Sequence, residues 1–187
     1  MRNLLKQSGL YLAAPSANKS GGISPTTAEH VRRSLGGEAP LVLDGGTCEN
    51  GIESTIVALR GDDYQILRPG PITDEDLVRV AGRKPIPEKA DRIEAPGQLA
   101  SHYAPSKPVR LEVTNCVDDE FHIGFAAVAG DFNLSEHGDL AEAASRLFAA
   151  LHIADASERK KIAIASIPRD GIGRALNDRV QRAATPK

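Results

Sequence analysis

The feature that most constrains the fold is a break. Between Gly82 and Pro108 the chain carries prolines at 85, 87, 96, 105 and 108, mixed with charged residues and few apolar ones. Proline removes a backbone donor and fixes its own φ, so neither helix nor central strand runs through such a stretch. It reads as an extended linker over residues 83–108. The 187 residues therefore divide into a first unit, 1–82, and a second, 109–187. Trp is absent and aromatics make up 4 %, so both cores have to be built from Leu, Ile, Val and Ala.

In the second unit, Val109-Arg110-Leu111-Glu112-Val113, Ile123-Gly124-Phe125-Ala126-Ala127-Val128 and Ile162-Ala163-Ile164-Ala165-Ser166-Ile167-Pro168 read as strands. Leu140, Ala143, Ala144, Leu147, Phe148 and Leu151 recur at helical spacing and predict an amphipathic helix. A last helix runs from Ala175 to Ala184 and carries Arg179 and Arg182, with Arg174 just before it. Strands alternating with helices predict a small α/β layer with a parallel sheet.

In the first unit, Asn3 to Gln7 reads as a helix end closed by Gly9. Leu10-Tyr11-Leu12-Ala13-Ala14 reads as a buried strand running into the polar loop Pro15-Ser16-Ala17-Asn18, and Leu41-Val42-Leu43 as a second strand. Ser24-Pro25-Thr26-Thr27 reads as a helix start, with Ser24 as N-cap and the helix ending near Gly36-Gly37. Two apolar runs around Arg60-Gly61-Asp62-Asp63 predict a β-hairpin. Thr73 caps a short helix after it. A polar loop following a strand, beside a helix N-terminus, predicts one wall of an anion site at Ala14–Gly21.

The net charge of −2 argues against a chain that coats phosphate backbones. Cys48 and Cys116 are too few and too far apart for a disulfide framework or a zinc site, and read as reduced thiols. No apolar run spans a bilayer and the N-terminus lacks a signal-peptide core, so the expected place is the cytoplasm.

Three blocks in order resemble the Sua5 branch of the Sua5/YrdC family, the threonylcarbamoyl-AMP synthases. They are Ala14-Pro15-Ser16-Ala17-Asn18 with Ser24-Pro25-Thr26; Gly51-Ile52-Glu53-Ser54-Thr55-Ile56-Val57 with Leu67-Arg68-Pro69-Gly70; and Pro96-Gly97 with His102-Tyr103-Ala104-Pro105. Asn133-Leu134-Ser135 and Gly173-Arg174-Ala175-Leu176-Asn177-Asp178-Arg179 extend the likeness. The resemblance implies the C-terminal part of a YrdC-like α/β domain, an interdomain linker that covers the cavity, and a small Rossmann-like Sua5 domain.

It also implies a reaction. L-threonine and bicarbonate give an N-carboxy species that attacks the α-phosphate of ATP and releases pyrophosphate. The L-threonylcarbamoyl-AMP product then serves the tRNA t6A machinery at the position next to the anticodon. On this pattern Ser16, Ser54 and Thr55 bind threonine, while Asn18, Ser24, Thr26, Arg68, His102 and Tyr103 bind ATP. Mg2+ is expected only as the companion of ATP. Gln98-Leu99-Ala100-Ser101 departs from the basic or aromatic residues that many relatives carry there.

The family's N-terminal Lys and Arg motifs have no counterpart upstream of Ala14, where Arg2 and Lys6 are the basic residues. The expectation is that this chain alone is inactive and that a complementing N-terminal half supplies the cationic wall. Two other classes compete: a non-catalytic RNA- or nucleotide-binding module, resting on the arginines of the last helix, and an interaction domain after Val109.

Overall fold

The computed structural model describes residues 2–87, 93–115 and 117–186. Helix α1 (Arg2–Ser8) is closed by Gly9, whose N–H donates to the Leu5 carbonyl at 3.0 Å with φ at +65°. Residues 10–14 are not a strand. Leu10 and Leu12 are more than half exposed and Tyr11 fully so. A strand exists through the neighbours that take its backbone hydrogen bonds, and no described residue pairs with this run. Residues 41–43 fail the expectation for the same reason, with Leu41 and Leu43 exposed.

Helix α2 (Ala28–Leu35) starts later than Ser24. Its N-cap is Thr27, whose hydroxyl accepts the His30 N–H. The Thr26 amide donates to His30 Nδ1 at 3.2 Å, and residues 24–26 stay outside the helix. Gly36 ends it at φ +53°. The hairpin forms as expected, β1 (Ile56–Arg60) antiparallel to β2 (Asp63–Arg68). Helix α3 (Asp74–Ala81) opens on a reciprocal capping box between Thr73 and Asp76.

Where it is described, the proline-rich segment packs on both units: Ser101 and Ser106 donate to the Thr185 carbonyl and to Asp155 of the second, and other bonds reach the first. The Ile86 N–H donates to the Tyr64 carbonyl (2.8 Å), and the Ala104 N–H to the Gly21 carbonyl (2.9 Å). Gln98 holds a turn here, its Oε1 accepting from the Glu94 and Ala95 amides. The middle of the expected linker, residues 88–92, lies outside the described residues, as does Cys116; Cys48 is an exposed free thiol.

The second unit contains β3 (Val109–Val113), β4 (Glu120–Gly124), β5 (Phe132–Asn133), α4 (Leu140–Ala156), β6 (Lys161–Ala165) and α5 (Gly173–Ala184). The sheet order is β3-β6-β4-β5, and every pairing is parallel. Strand β4 lies earlier than residues 123–128 because Phe125 and Val128 exchange backbone hydrogen bonds (both 3.0 Å) and turn the chain. The apolar run continues through that turn since Phe125 is itself core. The predicted face of α4 is buried from Ala143 onward, with Leu140 partly so; joined by Ala150 and Ala154, it packs with Ile123, Ile162, Ile164 and Leu176 in one cluster.

Candidate active site

The two units meet along a seam, where Ser24, His102 and Tyr103 of the expected residues contact His152, Arg182 and Phe148. On one side is a hollow of about 370 Å³ lined by Ser16, Ser24, Glu49, Asn50 and Glu53, among others. No lysine or arginine lines it. Its charged groups are carboxylates, which suit a ligand's N–H or O–H groups, while the Ser16 hydroxyl and the Asn50 amide can both donate and accept. The anion-binding wall expected at residues 14–21 therefore has no cation opposite it in this hollow.

Ser24 is 6 % exposed and its Oγ donates to Glu53 Oε1 at 2.5 Å. Glu53 Oε2 accepts from Arg179 Nε at 2.9 Å. Arg179 comes from α5 in the other unit and is fully buried, yet all three of its nitrogens are satisfied. Nη1 donates to Asp178 (2.6 Å) and Nη2 to the Pro69 carbonyl (2.9 Å). Its guanidinium also lies 5.3 Å from the Tyr103 ring centroid.

Beside this network sits Arg68, which is 9 % exposed. Nε donates to the Ser54 carbonyl (3.0 Å), Nη2 to Ser54 Oγ (3.3 Å) and Nη1 to the Pro96 carbonyl (3.4 Å). These partners are neutral, so its positive charge is not cancelled by a carboxylate in any of them. An arginine fork in that state is suited to a carboxylate or phosphate. Gly97 is required here: a Cβ would stand 2.4 Å from the Tyr103 hydroxyl and 3.2 Å from Arg68 Cδ.

Tyr103 is 1 % exposed and takes a left-handed backbone (φ +59°), a conformation that costs a tyrosine about 1–3 kcal/mol and is held by the packing around it. Its ring contacts His102 edge-on and tilts against Phe148 at 5.4 Å. Burial pushes the phenol's pKa up, so it keeps its proton. Burial, reinforced by Arg182, Arg179 and Arg68, lowers that of His102 below its ordinary 6.5 against the pull of Glu53. His102 therefore sits neutral at pH 7 and adds no cation for a triphosphate.

Asn18 braces the Gly21-Gly22 turn through Nδ2 bonds to the Lys19 and Gly22 carbonyls. Thr26 is buried, and Thr55 Oγ1 donates to the Ile72 carbonyl at 2.7 Å. These two residues hold the loops that carry their neighbours. Among the described residues, the buried side-chain polar atoms without a hydrogen-bond partner are Asn18 Oδ1, His102 Nδ1, Tyr103 Oη and His122 Nε2. Three of the four belong to expected site residues, and each such group costs about 1–3 kcal/mol until something pairs it.

Ser24 and Thr26 also belong to a histidine stack. His30 and His152 face each other at 3.8 Å between ring centroids. His152 Nε2 lies 3.1 Å from the Ser24 carbonyl. His30 Nδ1 accepts the Thr26 N–H, so that nitrogen carries no proton. Burial, with His152 and Arg33 close by and only Glu29 opposing, lowers the His30 pKa from 6.5 to about 4.

A depressed histidine pKa means that the unfolded chain takes up the proton first as pH falls. The stability this confers is complete above pH 6.5 and is lost as pH drops through about 4. We expect the urea midpoint to fall over that window, and the His30→Gln variant to show a shallower fall. Equal slopes for both proteins would refute the assignment.

In the sequence, Glu53 stands only as a member of the second motif block and Arg179 as one of the arginines of the last helix. The structure makes them the centre of the seam. Arg179 lies three residues after Leu176 and four before Ala183, on the buried face of α5, and that spacing could have revealed it. Arg182 is bound to Asp178 and the Leu99 carbonyl, and Arg174 to Asp74 of α3. Arg179 and Arg174 join the two units and Arg182 holds the linker at Leu99, so each arginine behind the RNA-binding alternative has a partner within the chain. Among the described residues no group of three or more His, Cys, Asp or Glu could hold a metal ion. No helix among them is long and apolar enough to cross a membrane.

A polar hollow lined by residues 16–53, braced from behind by a buried arginine of α5 beside a parallel sheet, defines the class: a mixed α/β protein in which the last helix packs against the hollow's carboxylate. The chain belongs to the threonylcarbamoyl-AMP synthase family: the family described as "Threonylcarbamoyl-AMP synthase, C-terminal domain" matches residues 72–185. The Sua5/YciO/YrdC family described as "Telomere recombination" matches residues 1–70. Among curated relatives, the threonylcarbamoyl-AMP synthase of Bacillus subtilis is 33 % identical over 97 % of this chain and 59 % of its own length. That of Pyrococcus abyssi is 30 % identical over 97 % and 60 %. The crystal structure of P. abyssi Sua5 complexed with L-threonine superposes with a TM-score of 0.82 at 28 % identity, covering 97 % of this chain and 60 % of that one. The chain thus spans about three fifths of the length of these relatives.

Proposed function

We propose that this chain forms part of the substrate site of an L-threonylcarbamoyl-AMP synthase, recognising L-threonine and ATP along the seam. The observation that carries the reading is that Arg68, His102 and Tyr103 sit beside the Ser24–Glu53–Arg179 network, with orphaned polar atoms on the last two of the three. Support comes from the P. abyssi relative, which was crystallised with L-threonine.

The chemistry balances as follows. The threonine nitrogen takes the carbon of bicarbonate with loss of water. An oxygen of the resulting N-carboxy anion attacks the α-phosphorus of ATP, and pyrophosphate leaves. The protein contributes positioning and charge. Ser16, Ser24 and Glu53 offer acceptors to the threonine amine and hydroxyl, with Ser54 and Thr55 alongside. Arg68 supplies one uncompensated guanidinium for phosphate or carboxylate. Asn18 and Thr26 shape the loop that faces the nucleotide, and His102 and Tyr103 close over it. The product would pass to the transferase machinery that makes t6A in tRNA.

A triphosphate and a carboxylate bring several negative charges, and Arg68 alone is too little to hold them. We therefore expect the 187-residue chain to release no pyrophosphate above background from ATP, L-threonine and bicarbonate. Turnover should appear when a polypeptide covering the portion of the B. subtilis relative that this chain does not match is added. Turnover by the chain alone would overturn the incompleteness. Silence in both, with the intact relative active in parallel, would count against the synthase reading.

A further inference from the structure

We infer that Arg179 of α5 is a positioning residue for the ligand hollow of the first unit, so that the C-terminal unit takes part in recognition. This rests on the reading that the hollow takes L-threonine. The chain of contacts is direct: Arg179 Nε fixes Glu53 Oε2, and Glu53 Oε1 takes the proton of Ser24 Oγ. A serine hydroxyl has one proton and two lone pairs. With its proton committed to Glu53, Ser24 Oγ faces the hollow as an acceptor, suited to a ligand's amine or hydroxyl.

Arg179 does not line the hollow and cannot touch a ligand there. Its influence passes through the carboxylate it orients. The orientation is over-determined: Asp178 and the Pro69 carbonyl hold the other two nitrogens, and Tyr103 lies against the guanidinium. Arginine is needed because a fork can bind Glu53 and Pro69 together, whereas lysine presents one point charge.

The test uses the whole chain and five proteins: wild type, Arg179→Lys, Arg179→Met, Ser24→Ala and the Ser24→Ala/Arg179→Met double variant that closes the cycle. L-threonine binding is followed by amide NMR shifts of Ser24, Ile52 and Glu53. Losing a charge-assisted hydrogen bond that sets an acceptor weakens binding by about 10- to 100-fold. We expect that loss in Arg179→Met, an intermediate one in Arg179→Lys, and no further loss when Arg179→Met is added to Ser24→Ala.

Residues that do not touch are additive unless they are coupled. Additive losses, or an Arg179→Met protein that binds as the wild type does, would overturn the proposal. If wild type shows no response to L-threonine, the hollow reading fails instead. The ligand-free spectra then decide the positioning claim. Arg179→Lys, which retains the buried cation and the fold, should move the Ser24 and Glu53 amides while leaving those of α4 in place; unmoved Ser24 and Glu53 amides refute it.

Discussion

Replacing Gly51 with alanine is expected to lower stability by about 3 kcal/mol and the thermal midpoint by about 6–12 °C. Gly51 lies in the first unit but against α4 of the second. A Cβ there would stand 2.3 Å from the Ala144 carbonyl oxygen, 2.5 Å from Ser145 Cα and 2.6 Å from the Ser145 carbonyl oxygen. All three are backbone atoms of a helix whose neighbouring residues are fully buried, so nothing flexible can yield. Gly51 also sits at φ +71°, which adds a cost for any side chain. Relief has to come from separating the units. The expected outcome is therefore a lower midpoint together with faster protease cleavage between residues 83 and 108. Gly37, where an added Cβ meets nothing within 4 Å, is the matched control. A Gly51→Ala midpoint equal to that of Gly37→Ala would show that the units are not in register as described.

How much of this was legible in the sequence depends on where the stabilising partner lies. The hairpin, the Thr73 cap, the α4 face and the parallel sheet class are set by local spacing, and they hold. Residues 10–14 and 41–43 have strand composition, yet strand composition describes a surface ready to pair and not the pairing itself. Ser24 looks like an N-cap because serine caps helices; His30, four residues after Thr26, captures that amide and moves the cap to Thr27. The site divides the same way. The motif positions Ser24, Arg68, His102 and Tyr103 converge, but the partners that orient them, Glu53 and Arg179, are 126 residues apart. Only the tertiary fold brings a carboxylate beside a strand to an arginine on the last helix.

That pair sets the second large effect. Glu53→Leu is expected to cost about 3 kcal/mol, more than Arg179→Met, although both remove the same ion pair. The asymmetry follows from exposure. Arg179 is 0 % exposed, while the Glu53 and Asp178 side chains are 20 % and 17 % exposed. Without Glu53, the guanidinium keeps Asp178 and the Pro69 carbonyl but strands Nε in a dry interior. Without Arg179, both carboxylates can turn to water. Pairing the changes should recover much of the loss, because replacing a buried ion pair by apolar side chains of similar size is often nearly neutral. Urea unfolding of the two single variants and the double variant measures this cycle. A double variant as unstable as Glu53→Leu would mean that Glu53 acts through Ser24 and the loop it holds. Recovery would mean that the buried cation is the source of the cost, and that its retention in α5 serves the hollow it orients rather than the stability of the seam.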